Sequence, residues 1–337
     1  MNLIRPIALS DLDALLHMAQ TAGAGFTSLP PVREFLKAKI DLSERSFAAD
    51  VTTPGHERYM FVLENAATGE VGGCCALEAA CGLDEPFYSF HIGTTVHASR
   101  ELNVYNLVPT LYLSNDYTGA SVLCSLYLRP EFRASRGGGL LSRSRFMFMA
   151  QFPGRCTKKV IAEMRGVSDD AGRSPFWEGL GRHFFSIDYN DAEHLVGQGN
   201  KAFIAELMPK HPIYGVLLSP EARAVMGKVH AQTAPALKLL EAEGFRHQGY
   251  IDIFDGGPTV EAPRDEIRTT RVSRLAHVRI GDVAQGTPHL VSNTSLADFR
   301  CIASDVEARG STVTMPRPMA EALHVQANEQ VRVSPQS

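Results

Sequence analysis

Short apolar runs alternate with segments of helical periodicity over the first 260 residues of the chain. Two early runs, 59–63 and 70–80, flank the turn-forming sequence NAATG and predict a β-hairpin. Further strands are predicted at 122–128, 159–165 and 202–207, and in YIDIF before the turn DGGPT. Strands that alternate with helices in this way indicate a mixed α/β fold.

Helices are predicted where apolar residues recur every three or four positions. Their expected starts are Ser10, the glycines at 137–139, Ser174-Pro175, Ser219-Pro220 and the sequence TAPALKLL. Gly244 fits a helix stop. The stretch 44–57 has no clear period and is predicted to be a loop or a loosely held helix end.

Two regions depart from the alternating pattern. The segment 86–119 is rich in Tyr, Asn, His and Ser, which suits either a surface loop with one buried strand or an active-site wall. After residue 275, short β-prone runs alternate with polar turns. We therefore expect a large domain over 1–275 and a small β-rich C-terminal portion over 276–337.

Composition narrows the function mainly by exclusion. The formal net charge of −4 provides no global basic field, so no nucleic-acid partner is expected. The six cysteines show no CxxC spacing and no clustering with histidines, so no metal site is expected. No secretory pattern opens the chain and no apolar run approaches 18 residues, so a cytoplasmic protein without a membrane span is expected.

The sequence LYLRPEFRASRGGGLLSRSRF combines a strand, a basic turn, three glycines and a helix. Backbone N–H groups at a helix N-terminus bind phosphate, and glycines allow the backbone to approach it closely. Arg133, Arg136, Gly137, Gly138 and Gly139 are therefore candidates for binding the pyrophosphate of an acyl-CoA. An ordinary structural turn also explains the glycines when they are considered alone.

This loop resembles the pyrophosphate loop of the GNAT superfamily of N-acetyltransferases, [QR]-x-x-G-x-[GA]. It reads RASRGG from Arg133 to Gly138, so Arg136 replaces the first glycine of the pattern and Gly137 is the candidate to serve instead. The opening IRP…SDLDALL, the strand KVIAEMR and the helix ending in EGF resemble other elements of that superfamily. The resemblance implies a GNAT-like acyl-CoA N-acyltransferase fold with a mixed, mostly antiparallel sheet, in which a splay between two strands admits the pantetheine arm.

Longer stretches resemble the arginine N-succinyltransferase family, among them VHASRELNVYN, LSNDYTG, LSRSRFMFMA, SPFWEGLGRHFF and KAFIAELMPKHPIY. The resemblance implies a cytoplasmic enzyme that transfers succinyl from succinyl-CoA to the α-amine of L-arginine, the first step of arginine catabolism. Succinyl-CoA is then a co-substrate, and no permanently bound cofactor is expected. The family includes subunits that act on both arginine and ornithine, so a homo-oligomer and an assembly with a homologous subunit both fit.

Two family motifs carry residue roles onto this chain. The motif V-H-x-Q-T-A-P matches 229–235, with Ala231 where the family usually has proline, and implies that His230 is the catalytic proton donor. The motif L-C-x-L matches 123–126 and implies that Leu126 contacts succinyl-CoA. Histidine titrates near neutral pH and can pass protons, whereas a strand leucine can act through its backbone N–H as part of an oxyanion hole.

The arginine substrate needs binding residues for its guanidinium group and for its carboxylate. A guanidinium requires carboxylates or carbonyls, and the candidates, which also suit surface or turn-capping roles, are Asp116, Glu163, Asp252 and Asp255. The carboxylates of arginine and of the succinyl group require cations, for which Arg143, Arg145 and Arg165 are candidates.

Other interpretations remain open at this point. Cys124 is a candidate nucleophile with His230 as its base, although inert buried cysteine is commoner on an apolar strand. A non-catalytic regulator that binds acyl-CoA or an amino acid is consistent with the altered glycine loop. Ornithine is an alternative acceptor, and acetyl-CoA is an alternative donor.

Overall fold

The strands of the described part of the chain all belong to one mixed sheet. The computed structural model describes residues 1–22, 28–135, 137–169, 172–189, 191–192, 195 and 202–336. The strands are β1 (Asn2–Pro6), β2 (Arg58–Asn65), β3 (Val71–Glu78), β4 (Ser89–Ser99), β5 (Val104–Ser114), β6 (Ser121–Leu128), β7 (Lys159–Glu163), β8 (Ile213–Tyr214), β9 (Arg246–Ile251), β10 (Pro258–Pro263), β11 (Arg274–Ile280), β12 (Thr287–Ser292), β13 (Cys301–Arg309), β14 (Thr312–Met315) and β15 (Gln330–Pro335).

The helices lie against both faces of this sheet. They are α1 (Leu12–Thr21), α2 (Arg33–Ala48), α3 (Gly137–Gln151), α4 (Pro175–Gly179), α5 (Gly181–Phe185), α6 (Ala202–Leu207), α7 (Pro220–Val225), α8 (Ala234–Ala242), α9 (Arg268–Val272) and α10 (Arg317–Ala322). Within the described residues, none of them is long and apolar enough to cross a membrane.

The strands follow the order β12-β15-β11-β14-β13-β1-β2-β3-β6-β7-β10-β9-β4-β5-β8. In the described part of the chain, β6–β7 and β11–β14 are parallel pairs and the other neighbours are antiparallel. The predicted α/β fold with a mixed, mostly antiparallel sheet is confirmed.

Two apolar layers cover the central strands. On one face, α1 and α2 bury Leu15, Met18, Leu36 and Ile40 against β2 and β3. On the other face, α3 is buried on nearly all sides, because α8, α9 and strands from the C-terminal end surround it. No side chain of this central helix is exposed, although it includes Ser142, Arg143, Ser144 and Arg145.

The last five strands close on themselves. Because β12 pairs with both β15 and β13, the strands β11–β15 form a small barrel around its own apolar core, including Val278, Val291 and Val313. The barrel is joined to the main sheet through the antiparallel pair of β13 and β1, in register at Leu3 and Ile302. The division into units 1–275 and 276–337 stays a prediction.

One local prediction was wrong and two were only partly right. The run 202–207 forms helix α6 rather than a strand, and Ile204 is buried in the cluster around Trp177. The stretch 44–57 begins with the end of helix α2, as one of the two alternatives has it, but this end is firmly packed, because Phe47 lies edge-on against Tyr59 in the main core. Most of the segment 86–119 is the long hairpin β4–β5 rather than a loop with one buried strand, and its role as an active-site wall stays a prediction.

Candidate active site

The site is built around a gap in the sheet. The parallel strands β6 and β7 pair at Ser121–Val160 and Val122–Ile161, and no further pair between them is present among the described residues. Both strands continue beyond that point, β6 as far as Leu128. The gap therefore opens toward their carboxyl ends, as the predicted splay requires.

A β-bulge lies on the β6 side of the gap. The register between β3 and β6 shifts by one residue between Cys74 and Ala76, so Ser125 and Leu126 together oppose a single residue of β3. Ser125 accordingly has a positive φ of 54°. A bulge removes a residue from regular pairing and changes the direction of the strand. The backbone of Leu126 is thus turned out of the regular ladder, while its half-buried side chain packs against the core.

Helix α3 begins close to the end of β6. A Cβ on Gly137 would lie 3.1 Å from Leu63 Cδ1, whereas a Cβ on Gly139 would meet no atom within 4 Å. Gly137 is therefore tightly packed, and Gly139 borders open space. Gly138 lies between them in the first turn, where backbone N–H groups have no partner within the helix. These N–H groups suit an anionic group.

The arginines of the loop are only partly defined. Arg133 is exposed, and its Nε donates to the carbonyl oxygen of Leu128 at 3.3 Å. Arg136 lies outside the described residues. A cavity of about 720 Å³ adjoins the start of α3 and is lined by Gly139, Arg143, residues of the barrel and α8. The cavity therefore lies beside the helix N-terminus.

His230 lies in a segment that runs beside the end of β7. Val229 forms an antiparallel bridge with Gly166, and the His230 backbone N–H donates to the Arg165 carbonyl at 2.8 Å. Its imidazole Nδ1 accepts the Gln232 N–H at 3.2 Å, which places the proton of the neutral ring on Nε2. The half-buried ring can therefore act as a proton donor through Nε2.

Asp255, in the turn after β9, forms hydrogen bonds to the residues that lie beside the His230 segment at the end of β7. Its carboxylate accepts the N–H groups of Gly166, at 2.6 Å, and Gly257, at 2.7 Å. Burial and the neighbouring carboxylate of Asp252 raise the pKa of Asp255 to about 7. A Cβ on Gly166 would come within 2.6 Å of Asp255, so this close contact requires glycine. Asp255 holds protein amides, which disfavours the guanidinium role expected for it.

Five other side chains cluster on β7, β9, β10 and the turn before β6, and we call this cluster the tyrosine–carboxylate face, in which the Tyr117 ring is buried. Its members are Asp116, Tyr117, Glu163, Tyr250 and Glu261. Tyr117 donates to Glu261 at 2.6 Å and Tyr250 to Asp116 at 2.7 Å, while the two rings lie 4.7 Å apart. The hydrogen bond from Tyr250 lowers the pKa of Asp116. Glu163 lies exposed at the end of β7. Burial, followed by the hydrogen bond to Glu261, raises the pKa of the Tyr117 phenol, and the nearby carboxylate of Glu163 raises it further.

The three arginine candidates lie in different surroundings. Arg143 forms an ion pair with buried Glu243 at 3.0 Å. Arg145 is buried, donates to the Ser142 carbonyl, and has its pKa lowered by that burial. Arg165 is half-buried next to the His230 segment and donates to Ser168 at 2.8 Å. Of the three, Arg165 is the one placed beside the candidate proton donor.

Sequence reasoning did not identify the surroundings of Cys124. Its Sγ accepts a hydrogen bond from Arg58 at 3.2 Å, and Arg58 pairs with Glu78 at 3.5 Å. Arg58 and Glu78 line a second cavity of about 700 Å³, which also includes the acidic residues Asp84 and Glu85. These residues come from separate strands and a loop, so no short motif could have revealed them.

No cluster that could hold a metal ion is found among the described histidine, cysteine and acidic side chains. All six cysteines are free. Burial, the largest cause, raises the pKa of the Cys75 thiol to about 11 and that of Cys81 to about 12.

Comparison with known proteins identifies the family. Residues 2–269 match the family described as arginine N-succinyltransferase beta subunit, and residues 271–335 match its C-terminal domain. The chain is 50% identical over 335 residues to the arginine N-succinyltransferases of Salmonella paratyphi B and Salmonella newport, covering 99% of this chain and 97% of each relative.

A solved structure is similar over almost the whole length. The structure of arginine/ornithine succinyltransferase subunit AI from Pseudomonas aeruginosa aligns with a TM-score of 0.91 and 42% identity, covering 99% of this chain and 98% of that one. The predicted family and the predicted acyltransferase class are confirmed. The chain belongs to the arginine N-succinyltransferase family, whose members are acyltransferases.

Proposed function

We propose that the protein transfers the succinyl group of succinyl-CoA to the α-amine of L-arginine, giving N2-succinylarginine and CoA. The observation that carries this proposal is the gap between β6 and β7, with the bulge at Leu126 on one side and His230 beside the end of β7. Membership of the family supports the choice of donor and acceptor.

The donor binds along β6 in this proposal. The pantetheine arm enters the gap, and the backbone N–H of Leu126 polarises the thioester carbonyl as an oxyanion hole does. The pyrophosphate meets the first turn of α3 at Gly137, Gly138 and Gly139, with Arg133 and Arg136 supplying positive charge. The cavity beside Gly139 takes the nucleotide end. Succinyl-CoA is thus a co-substrate rather than a resident cofactor.

The chemistry is direct transfer. The neutral α-amine of arginine attacks the thioester carbonyl carbon, the C–S bond breaks, and the new amide nitrogen loses a proton. His230 protonates the departing thiolate from Nε2 and regains a proton from that nitrogen. We expect Arg165, which lies next to the histidine segment, to pair with the carboxylate of arginine or of the succinyl group.

The acceptor guanidinium binds on the tyrosine–carboxylate face. Ile161 and Val122 pack there beside Tyr117, and Glu163 is two residues beyond Ile161 along β7, at the mouth of the gap. A planar cation is attracted by carboxylates, and Asp116 and Glu163 are exposed carboxylates of this face. We expect Glu163→Gln to raise the KM for arginine at least tenfold and to leave the KM for succinyl-CoA unchanged. Equal arginine KM values for both proteins would remove Glu163 from the acceptor site.

The reaction itself is tested by mixing the purified protein with succinyl-CoA and L-arginine and following the release of free CoA thiol. Ornithine, lysine and acetyl-CoA are run in parallel. Release that requires both succinyl-CoA and arginine supports the proposal. Faster release with ornithine would make ornithine the main acceptor, and no release despite CoA binding would favour a regulator. Normal turnover by Cys124→Ala would exclude an acyl-enzyme at that thiol.

We also propose a cytoplasmic location, which the free cysteines support because reduced thiols persist in a reducing compartment. Both proposed substrates, succinyl-CoA and L-arginine, are small molecules.

A further inference from the structure

Arg58 is an almost buried arginine whose hydrogen-bonding groups are only partly used by the protein. Its side chain is 11% exposed, and its Nη1 lies 3.5 Å from the Glu78 carboxylate, longer than the ~2.7–2.9 Å of a direct charge-assisted hydrogen bond. Its Nη2 donates to Cys124 Sγ at 3.2 Å, and its buried Nε has no hydrogen-bond partner within the described residues. A guanidinium carries five N–H donors, so Arg58 retains donors for a further acceptor.

The guanidinium of Arg58 lies on the same face of the sheet as the proposed acceptor site. One row of residues paired across four strands consists of Arg58, Glu78, Val122 and Ile161. Residues paired across a sheet share a face, and so do residues two positions further along each strand. Cys124 on β6 and Glu163 on β7 therefore lie on this face, one on each side of the gap where the two strands separate.

The carboxylates of Glu78 and Glu163 border the same space. Burial raises the pKa of the Cys81 thiol to about 12, and both carboxylates raise it further. Each of them is therefore close to Cys81, which packs beside Val122 and Ile161 at the start of the gap. A ligand that lies over the gap can reach Arg58 and Glu78 at one end and Glu163 at the other.

A cavity provides access to Arg58. Arg58 and Glu78 line the space of about 700 Å³ that lies between α2, the start of β2 and the loop after β3. In that loop, Asp84 pairs with His56 at 3.2 Å, and Glu85 adds a further carboxylate. The cavity adjoins the N-terminal end of β6, whereas α3 begins beyond the other end of that strand. An amino acid can therefore enter from this side while the donor occupies the gap from the side of α3.

We propose that Arg58 binds the α-carboxylate of the acceptor and thereby makes the enzyme select amino acids over amines that lack this group. The inference rests on the proposed function, because it orients the arginine of that reaction. With the α-carboxylate on Arg58 and the guanidinium on Glu163, the α-amine lies over Cys124, two residues before Leu126 and the thioester. Glu78, beside Arg58, accepts a hydrogen bond from the α-ammonium before the proton is lost. Arg165 is then left for the carboxylate of the succinyl group.

Kinetics with L-arginine and L-argininamide, in which a neutral amide replaces the α-carboxylate, test this role. We expect Arg58→Gln to lower kcat/KM for arginine by roughly 10–100-fold, the contribution of a hydrogen bond to a charged group, and to leave kcat/KM for argininamide unchanged. Arg58→Lys, which keeps the charge but not the planar fork, should retain part of the preference for arginine. Arg300→Gln removes an arginine that is 17% exposed and pairs with Asp298 at 2.9 Å, and this matched control should keep wild-type values.

Activity with argininamide also reports folding, since a misfolded variant loses both substrates. If Arg58→Gln does not fold, Arg58→Lys carries the test, and a full preference for arginine in that variant would overturn the assignment. A folded Arg58→Gln protein with unaltered kcat/KM for arginine, or with equal losses for both acceptors, would overturn it and leave the proposed function intact. Loss of the preference in Arg165→Gln alone would assign the α-carboxylate to Arg165 instead.

Calorimetric binding of the two acceptors in the presence of CoA separates this inference from the proposed function. Tighter binding of arginine than of argininamide by the wild-type protein, lost in Arg58→Gln, would support the carboxylate site even if no succinyl transfer were observed. Equal binding of the two compounds by the wild-type protein, or no binding of arginine, would overturn it.

Discussion

Backbone hydrogen bonds position the proton donor of the proposed reaction. The backbone N–H of His230 donates to the Arg165 carbonyl, and Nδ1 of the His230 ring accepts a hydrogen bond from the Gln232 N–H. These contacts fix the orientation of the imidazole ring. Because a CoA thiolate is a fairly good leaving group, removal of the imidazole should slow the transfer rather than abolish it.

We expect His230→Ala to lower kcat by about 10²-fold, the lower end of what general acid catalysis contributes. A succinyl thioester of a more acidic thiol should restore much of the loss, because its thiolate needs less protonation. His183→Ala, at an exposed histidine of α5, is the control and should keep wild-type kinetics. A loss that is the same for both thioesters would contradict the role of His230 as an acid.

Asp255 determines where the histidine segment lies. Both of its oxygens accept backbone N–H groups, and an asparagine in its place could accept only one of them. Leaving a buried N–H without a partner costs about 1–3 kcal/mol. We expect Asp255→Asn to lower kcat with little change in either KM, whereas Asp282→Asn, at an exposed aspartate, should have no effect.

The same variant should change the pH dependence of stability. The pKa of Asp255 is raised from its ordinary value of 3.8 to about 7, so the folded protein binds more protons than the unfolded chain between those pH values. Its contribution to stability is complete below pH 4 and is lost as the pH rises through 7. Urea midpoints measured from pH 4 to 8 should therefore fall less steeply for Asp255→Asn. Asp252 stays in the variant, and burial raises its pKa too, so part of the slope remains. Parallel curves would assign the slope to other groups.

How much of the site could be predicted differs from residue to residue. His230 and the glycines stand in short local motifs, so sequence alone could nominate them. The contact between Gly166 and Asp255 joins residues 89 positions apart, and only the folded sheet brings them together. No local pattern distinguishes such an aspartate from a turn cap, which explains why a substrate role was expected for it.

At the scale of elements, the start of α3 is a place where a substitution can affect ligand binding without disturbing the packing of the helix. A Cβ on Gly139 meets nothing within 4 Å, and the same is true of Gly154 in the turn after the helix. Alanine at 139 should therefore fold normally and gain about 0.5–1 kcal/mol, because it favours the helix over the unfolded chain.

We expect Gly139→Ala to keep or raise the melting temperature but to increase the KM for succinyl-CoA several-fold, because the new methyl group obstructs the approaching phosphate. The KM for arginine should not change. Gly154→Ala is the matched control and should leave both KM values unchanged. An unaltered KM for succinyl-CoA in Gly139→Ala would mean that the pyrophosphate does not approach this residue.

Most short apolar runs were predicted correctly, since 59–63, 122–128 and most of 159–165 lie in strands β2, β6 and β7, but the run 202–207 was not. Proline and serine caps correctly indicated the starts of α4 and α7. The six residues of α6 fit a strand equally well by pattern, and burial of Ile204 beside Trp177 decides for a helix. In β4 and β5 the alternation was obscured by the polar residues of one face.

At the scale of the molecule, β1 joins the two ends of the chain. The pairing of Leu3 with Ile302 links the first strand to the barrel, and such a long-range register cannot be read from local patterns. The small β-rich portion was visible in the sequence, but its closure into a barrel and its packing against α3 were not. These contacts imply that the barrel and the acyltransferase core stabilise each other.

Phe299 provides the test of that coupling. It lies between β12 and β13 of the barrel, yet it is fully buried in the main core, with its ring 5.6 Å from that of Phe61 and 5.4 Å from that of Phe148. Replacing a buried phenylalanine with alanine costs about 3–5 kcal/mol. Because the side chain bridges both parts, we expect calorimetry to show one transition for the wild-type protein and one for Phe299→Ala, at a temperature lower by roughly 5 °C.

Val313→Ala, inside the barrel core, is the companion variant. If the two parts unfold together, it should also move the single transition, by a smaller amount because fewer buried atoms are lost. Two separate transitions, with Val313→Ala moving only one of them, would show that the barrel is an independent unit. A single transition in all three proteins would mean that damage to the barrel also destabilises α3, and with it the helix N-terminus at which we place the pyrophosphate.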